Sequence, residues 1–146
     1  LTVRARGDLH VDLHHTNEDV GICLGEAFKA ALGDKAGIRR YGLSFVPMDE
    51  ALAAARVVLD ISGRPSLFFH SSVKRTPDAV YTLQDTKEFL KAFTANSGIN
   101  MHADLLRGED THHMIEALFK ATARALREAV AIDPRGKGVP STKGRL

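Results

Sequence analysis

One pattern occurs twice in this chain. His14-His15-Thr16-Asn17-Glu18 and His112-His113-Met114-Ile115-Glu116 share the form His-His-x-x-Glu, 98 positions apart (14 to 112) in 146 residues. An aspartate, Asp12 or Asp110, stands two residues ahead of each pair. Apolar-polar alternation precedes each motif, in 1–11 and in 99–105, and an amphipathic stretch follows each. The spacing predicts two copies of a strand-to-helix unit about a pseudo-twofold axis, with halves at 1–83 and 84–146. The second copy also has a helical stretch, 84–98, ahead of its strand. Its counterpart in the first copy would fall before Leu1, so the offset predicts further chain ahead of that residue.

The hydrophobic pattern assigns the remaining elements. A helix is expected from about His14 to Gly33, with a capping box at Thr16 and Asp19 that leaves His14 and His15 at its entry. Leu43–Val46 reads as a short strand, and Pro47 as the opening of a short helix through the alanines that follow. Arg56–Ser62 and Ser66–Val73 read as strands around the turn at Gly63-Arg64-Pro65, and 74–82 as a loop. In 99–105, Ile99, Met101, Ala103 and Leu105 share one face. A long helix follows from His112, and the Gly/Pro-rich basic tail after Ala131 reads as a loop or mobile end.

On a helix, residues four apart share a face, and adjacent ones diverge by about 100°. Each motif can therefore place one histidine and its glutamate on the same ion, but not both histidines on one ion. Together they offer His14, His15, Glu18, His112, His113 and Glu116, enough for two sites shared between halves or subunits. Imidazole and carboxylate without thiolate suit Mn, Fe, Co, Ni or Zn. Surface histidines are the plain alternative for a single motif; the repetition places metal binding ahead of it. Glu88 lies three residues after Asp85 and reads either as a capping partner or as a further ligand. His10 and His102 are expected to face solvent from strands, and His70 to be structural.

Arg40, Arg64 and Lys143 come from three separate turns, and Ser141 and Thr142 add hydroxyls. Such a set can hold a phosphate. On spacing alone, ordinary solvated turn residues remain the better reading. The net charge of +2 and an aromatic content of 6% argue against a nucleic-acid binder. No apolar run reaches the roughly 18 residues of a membrane span. The single cysteine, Cys23, excludes an intrachain disulfide and suits a reducing, cytoplasmic setting; it reads as a small buried helix residue rather than a nucleophile.

His-His-Thr-Asn-Glu-Asp, Ser-Gly-Arg-Pro, the second motif with its following Ala-Leu-Phe-Lys-Ala, and Pro-Ser-Thr-Lys-Gly resemble the imidazoleglycerol-phosphate dehydratases over residues 7–143. The resemblance implies an α+β, two-layer sandwich of two similar halves, ribosomal-protein-S5-domain-2-like. It implies a 24-mer of 432 symmetry with two Mn(II) ions per active site at subunit interfaces. It implies loss of water from D-erythro-imidazole-glycerol phosphate to give imidazole-acetol phosphate. By position, His14, His15, Glu18, His112, His113 and Glu116 match metal ligands, and Glu88 falls where many members carry histidine and others glutamate. Arg40, Arg64, Ser141 and Lys143 match phosphate-holding positions. Glu18 or Glu116, as a metal-bound carboxylate, can shuttle the proton. The family's Leu-Asp-His-Met stretch, with a further metal histidine, has no counterpart here. Two other readings remain: a dinuclear metallohydrolase acting on a phosphate ester, and a non-catalytic assembly protein bridged by metal.

Overall fold

A computed structural model describes residues 1–49, 51–73 and 79–146. Its elements are α1 (Leu13–Leu32), β1 (Tyr41–Met48), β2 (Ala51–Asp60), β3 (Ser66–Ser71), α2 (Leu83–Ser97), β4 (Asn100–Leu105) and α3 (Thr111–Ala129). The strands form one sheet in the order β1-β2-β4-β3. β1 with β2 and β2 with β4 are antiparallel; β3 and β4 are parallel, and α2 makes the crossover such a pair requires. Helices cover one face of the sheet, α3 across β1 and β2 and α2 against β3, while α1 packs on α2. The architecture is α+β, as expected.

Alternation decides the core. Ile99, Met101, Ala103 and Leu105 are fully buried, as their shared face required, beside Val57 and Leu59 of β2. Met114, Ala117, Leu118, Ala121 and Ala125 of α3 fall on one helical stripe and are likewise fully buried. The stripe is rich in alanine because β1 approaches closely. A Cβ added at Gly42 would stand 2.0 Å from the Ala125 carbonyl oxygen. β1 turns Gly42, Ser44, Val46 and Met48 inward, with the smallest residue at the closest approach to α3, and its aromatic residues and Leu43 outward. Tyr41, Leu43 and Phe45 are exposed, along with Val58 and Phe68 on the same sheet face.

Several expectations are corrected. Residues 1–8 form no strand but lie largely exposed along α1, since alternation makes a strand only where a partner ladder exists. The short helix after Pro47 is absent. β1 runs through Pro47, which an edge strand tolerates, and Ala51 already belongs to β2. The helix propensity of the alanines yields to the ladder with β1, joined from Ala55 onward by the ladder with β4. Of the loop expected at 74–82, residues 74–78 lie outside the described residues. Gly33 and Gly98 do end α1 and α2.

Candidate functional site

Both motifs open a helix in the same way. Asp12 is the N-cap of α1 and its carboxylate accepts from the His14 amide; Asp110 caps α3 and accepts from the His113 amide at 2.9 Å. A carboxylate two residues before each histidine pair thus satisfies a backbone donor the helix start leaves open. It corrects the expected Thr16–Asp19 box and places His14 and His15 inside the first turn. Thr16 Oγ1 is buried without a hydrogen-bond partner.

From that shared start the side chains repeat one geometry. His14 Nε2 stands 3.4 Å from Glu18 Oε2, and His112 Nε2 stands 3.3 Å from Glu116 Oε2. Two donors about 2.1 Å from one ion, at octahedral or tetrahedral angles, are themselves about 3.0–3.4 Å apart. Each pair is therefore already set at the bite of a single cation. The second histidine turns away in both copies, with ring centroids 6.4 Å apart for His14–His15 and 6.0 Å for His112–His113. It meets an aspartate instead: His15 Nδ1 lies 2.8 Å from Asp8 Oδ2, and His113 Nε2 lies 3.7 Å from Asp49 Oδ2. Among the described residues no group of three or more His, Cys, Asp or Glu converges on one point. Each His-Glu pair offers two donors, and imidazole with carboxylate suits a borderline divalent ion.

The charges support anionic carboxylates. A hydrogen bond from Lys120, with help from its charge, holds the Glu116 carboxyl below the usual range. The hydrogen bond between Asp8 and His15 lowers the first and raises the second. Glu88 is not a capping partner. Thr82 and Asp85 close the capping box of α2, and Glu88 accepts from Gln84 at 2.7 Å and Lys91 at 3.2 Å. Cys23 is exposed, because the buried seam of α1 passes through Asn17, Gly21 and Gly25 on the other side. His70 and His102 face outward from the sheet, His102 stacked on Phe68 with centroids 4.5 Å apart; His10 is exposed in a turn rather than a strand.

The basic residues of three turns do converge. Arg40, Arg64, Ser141, Thr142 and Lys143 line one cavity of about 440 Å³, with Ser62, Gly63, Arg145 and Leu146. Arg40 is its most constrained wall. Its backbone lies in the left-handed region at φ 74°, a conformation that costs a non-glycine residue about 1–3 kcal/mol. Bonds on every side hold it there. Its amide donates to Ala129 O at 2.9 Å and its carbonyl accepts from the Ile61 amide at 3.1 Å. Its guanidinium grips Asp60 through Nε at 2.6 Å and Nη2 at 3.0 Å, and Nη1 reaches Pro140 O at 2.9 Å. Those bonds to Asp60 push its pKa up. Three of the five guanidinium protons are thereby used, and two remain for a ligand. Ser62, Gly63 and Arg145 were missed in the sequence reading, although Ser62 and Gly63 begin the turn that carried Arg64. Asp60, the anchor of Arg40, gave no signal at all.

The family model described as imidazoleglycerol-phosphate dehydratase matches residues 1–126. A Clostridium botulinum protein of that name is 59% identical over 148 residues, covering 100% of this chain and 74% of the relative. One from Bacillus pumilus is 56% identical over 146 residues, again covering 100% of this chain and 74% of the relative. The crystal structure of the Staphylococcus aureus dehydratase superposes with a TM-score of 0.78 at 42% identity, over 89% of this chain and 72% of that one. That of the Pyrococcus furiosus enzyme gives 0.75 at 36% identity, over 91% and 71%. With its doubled helix-entry His-Glu pairs and its convergent basic turns, this chain belongs to the imidazoleglycerol-phosphate dehydratase family.

Proposed function

We propose that this chain dehydrates imidazole-glycerol phosphate at a site that pairs the two His-Glu motifs with the basic cavity and holds two Mn(II) ions. Family membership makes it a metal-dependent hydro-lyase of histidine biosynthesis. The observation that carries the finer reading is the repeated bite, 3.4 Å at His14–Glu18 and 3.3 Å at His112–Glu116, under matching aspartate caps. His15, His113 and Glu88 complete the proposed ligand set, which supports two ions rather than one. No three donors converge among the described residues, and we propose that another copy supplies the rest of each shell. The exposed apolar sheet face supports self-association, and we propose the 24-mer of 432 symmetry. The halves 1–83 and 84–146 are the proposed repeat, and a cytoplasmic setting is consistent with the single cysteine.

Within this site the residues divide the work. Arg64, Lys143 and the Ser141 hydroxyl hold the substrate phosphate, and Arg40, fixed by Asp60, adds its two remaining donors. The cavity adjoins Ala129 at the opposite end of α3 from Glu116, so a substrate held by both the basic turns and a glutamate bridges two copies. Glu18 or Glu116 takes the proton from the middle carbon of the glycerol chain; hydroxide leaves the carbon next to the ring; the resulting enol, with its oxygen on the middle carbon, becomes the ketone. When bound, the metal stabilises the negative charge that develops on the ring and the adjacent oxygen.

The test is to follow both possible products of imidazole-glycerol phosphate with the Mn(II)-loaded protein. Ketone formation with the phosphate ester intact supports the dehydratase; release of inorganic phosphate would instead establish a hydrolase. In the same assay, Glu18→Gln and Glu116→Gln are each prepared with metal content verified. The proton-transfer residue is expected to lose on the order of 10²- to 10⁴-fold in kcat, and a variant with full activity is not that residue. Arg64→Ala is expected to raise KM about 10- to 100-fold with a smaller change in kcat, since it removes one charge-assisted contact to a part of the substrate that does not react. An unchanged KM would remove Arg64 from the phosphate site.

A further inference from the structure

Asn17 lies inside the first motif, next to Glu18, and the proposed reaction does not use it. Its exposure is 7%, and it lines a seam with Gly21 and Gly25, the other buried residues of α1. Spaced four apart, the three meet α2 along one face. The two glycines bring the helix backbones together: an added Cβ would stand 2.8 Å from Phe89 O at Gly21 and 2.6 Å from Phe93 O at Gly25. The glycines offer no side chains to interlock, and the ring contact of Phe28 with Phe93, centroids 5.8 Å apart, lies toward the far end of α1 from the motif.

Asn17 supplies what the glycines lack. Its Nδ2 donates to the Asp85 carbonyl at 2.8 Å, and its Oδ1 accepts from the Tyr81 hydroxyl at 2.8 Å. Both partners sit at the start of α2, where Asp85 also closes the capping box with Thr82. The entry turn of α1 is thereby tied to the entry turn of α2, one turn before Glu88. Burial pushes the Tyr81 phenol up to about 12, so it remains a donor throughout the physiological range.

We infer that Asn17 and Tyr81 are positioning residues that fix the entry turn of α1, and with it His14 and Glu18, against the entry turn of α2. The inference rests on the metal-site reading above. Its force comes from tolerance: a slip of one residue along a helix is about 1.5 Å, whereas metal-ligand distances must hold to about 0.2 Å. The two hydrogen bonds carry a precision that the glycine seam cannot.

The test measures Mn(II) binding to the metal-stripped protein at 25 °C, from the electron paramagnetic resonance signal of free Mn(II), alongside the melting temperature. Asn17→Leu keeps the approximate size and removes both bonds. It is expected to weaken Mn(II) binding about 10- to 100-fold, the usual effect of losing a partner that orients a ligand. Tyr81→Phe removes one bond and leaves Asn17 on Asp85. It is expected to weaken binding roughly 3- to 10-fold, and it carries the test if Asn17→Leu does not fold. Variants that melt earlier but bind Mn(II) as the unaltered protein does would reduce the pair to a structural tie and overturn the inference. An unaltered protein that binds no Mn(II) would overturn it together with the metal reading.

Discussion

Stripping the metal from the protein is expected to lower ketone formation by about a thousandfold or more, and returning Mn(II) is expected to restore it. A bound divalent ion stabilises developing negative charge by several kcal/mol, and each 1.36 kcal/mol is about tenfold in rate. The residues left behind cannot replace that contribution. His14–Glu18 and His112–Glu116 face each other across 3.4 and 3.3 Å, and the lowered Glu116 carboxyl remains anionic beside Lys120. At the proposed site, these carboxylates without a cation add negative charge where the reaction itself builds it. The measurement is the initial rate of ketone formation before and after chelation, with subunit assembly followed in parallel by light scattering. Equal rates would sink the metal-dependent mechanism. Loss of the assembly from a protein that never turns substrate over would leave a metal-bridged scaffold in its place.

Gly42→Val is expected to produce the largest loss of stability among single substitutions on the sheet. Its first added carbon would lie 2.0 Å from the Ala125 carbonyl oxygen and 3.2 Å from the Ala129 amide nitrogen, both backbone atoms of α3. Neither can rotate away, so β1 must lift from the helix. Overpacking of this kind costs about 1–3 kcal/mol and at times more, equivalent to a fall in melting temperature on the order of 5–10 °C in a domain of this size. The damage should reach the anion cavity, because Arg40 immediately precedes β1 and is bonded to the last turn of α3 through Ala129. A raised KM at temperatures where the variant is still folded is therefore expected with the lower melting point. An unchanged thermal unfolding curve would show that the sheet and helix yield at this contact.

The doubled motif was legible because its chemistry is local. The i to i+4 reach of His14 to Glu18 and the divergence of adjacent histidines follow from helix geometry within five residues, whereas the aspartate caps went unread and a Thr16–Asp19 box was expected in place of Asp12. The basic set was less so. Arg40, Arg64 and Lys143 look like ordinary turn residues one by one, and the resemblance, not their spacing, marked them out. The cavity joins them only because Arg40 is held by Asp60 from β2 and by Pro140 from the tail. Failures concentrated where partners are distant. The alternation at Leu1–Val11 had no ladder to join, and the alanines after Pro47 followed the pairing of β2 rather than their own helix propensity. Asn17 was read only as part of a motif, because its partners, Tyr81 and Asp85, are 64 and 68 residues away.

By itself, the sequence determined the two helices that carry the motifs, their His-Glu pairs and the stripe by which α3 meets the sheet, since periodicity acts within a turn or two. Tertiary structure alone decided the strand after Pro47, the outward apolar face of β1, the left-handed Arg40 and the tie of α1 to α2. Those depend on ladder bonds, close backbone approach and side-chain hydrogen bonds between segments far apart in the chain, and such contacts leave no periodic trace in either segment alone.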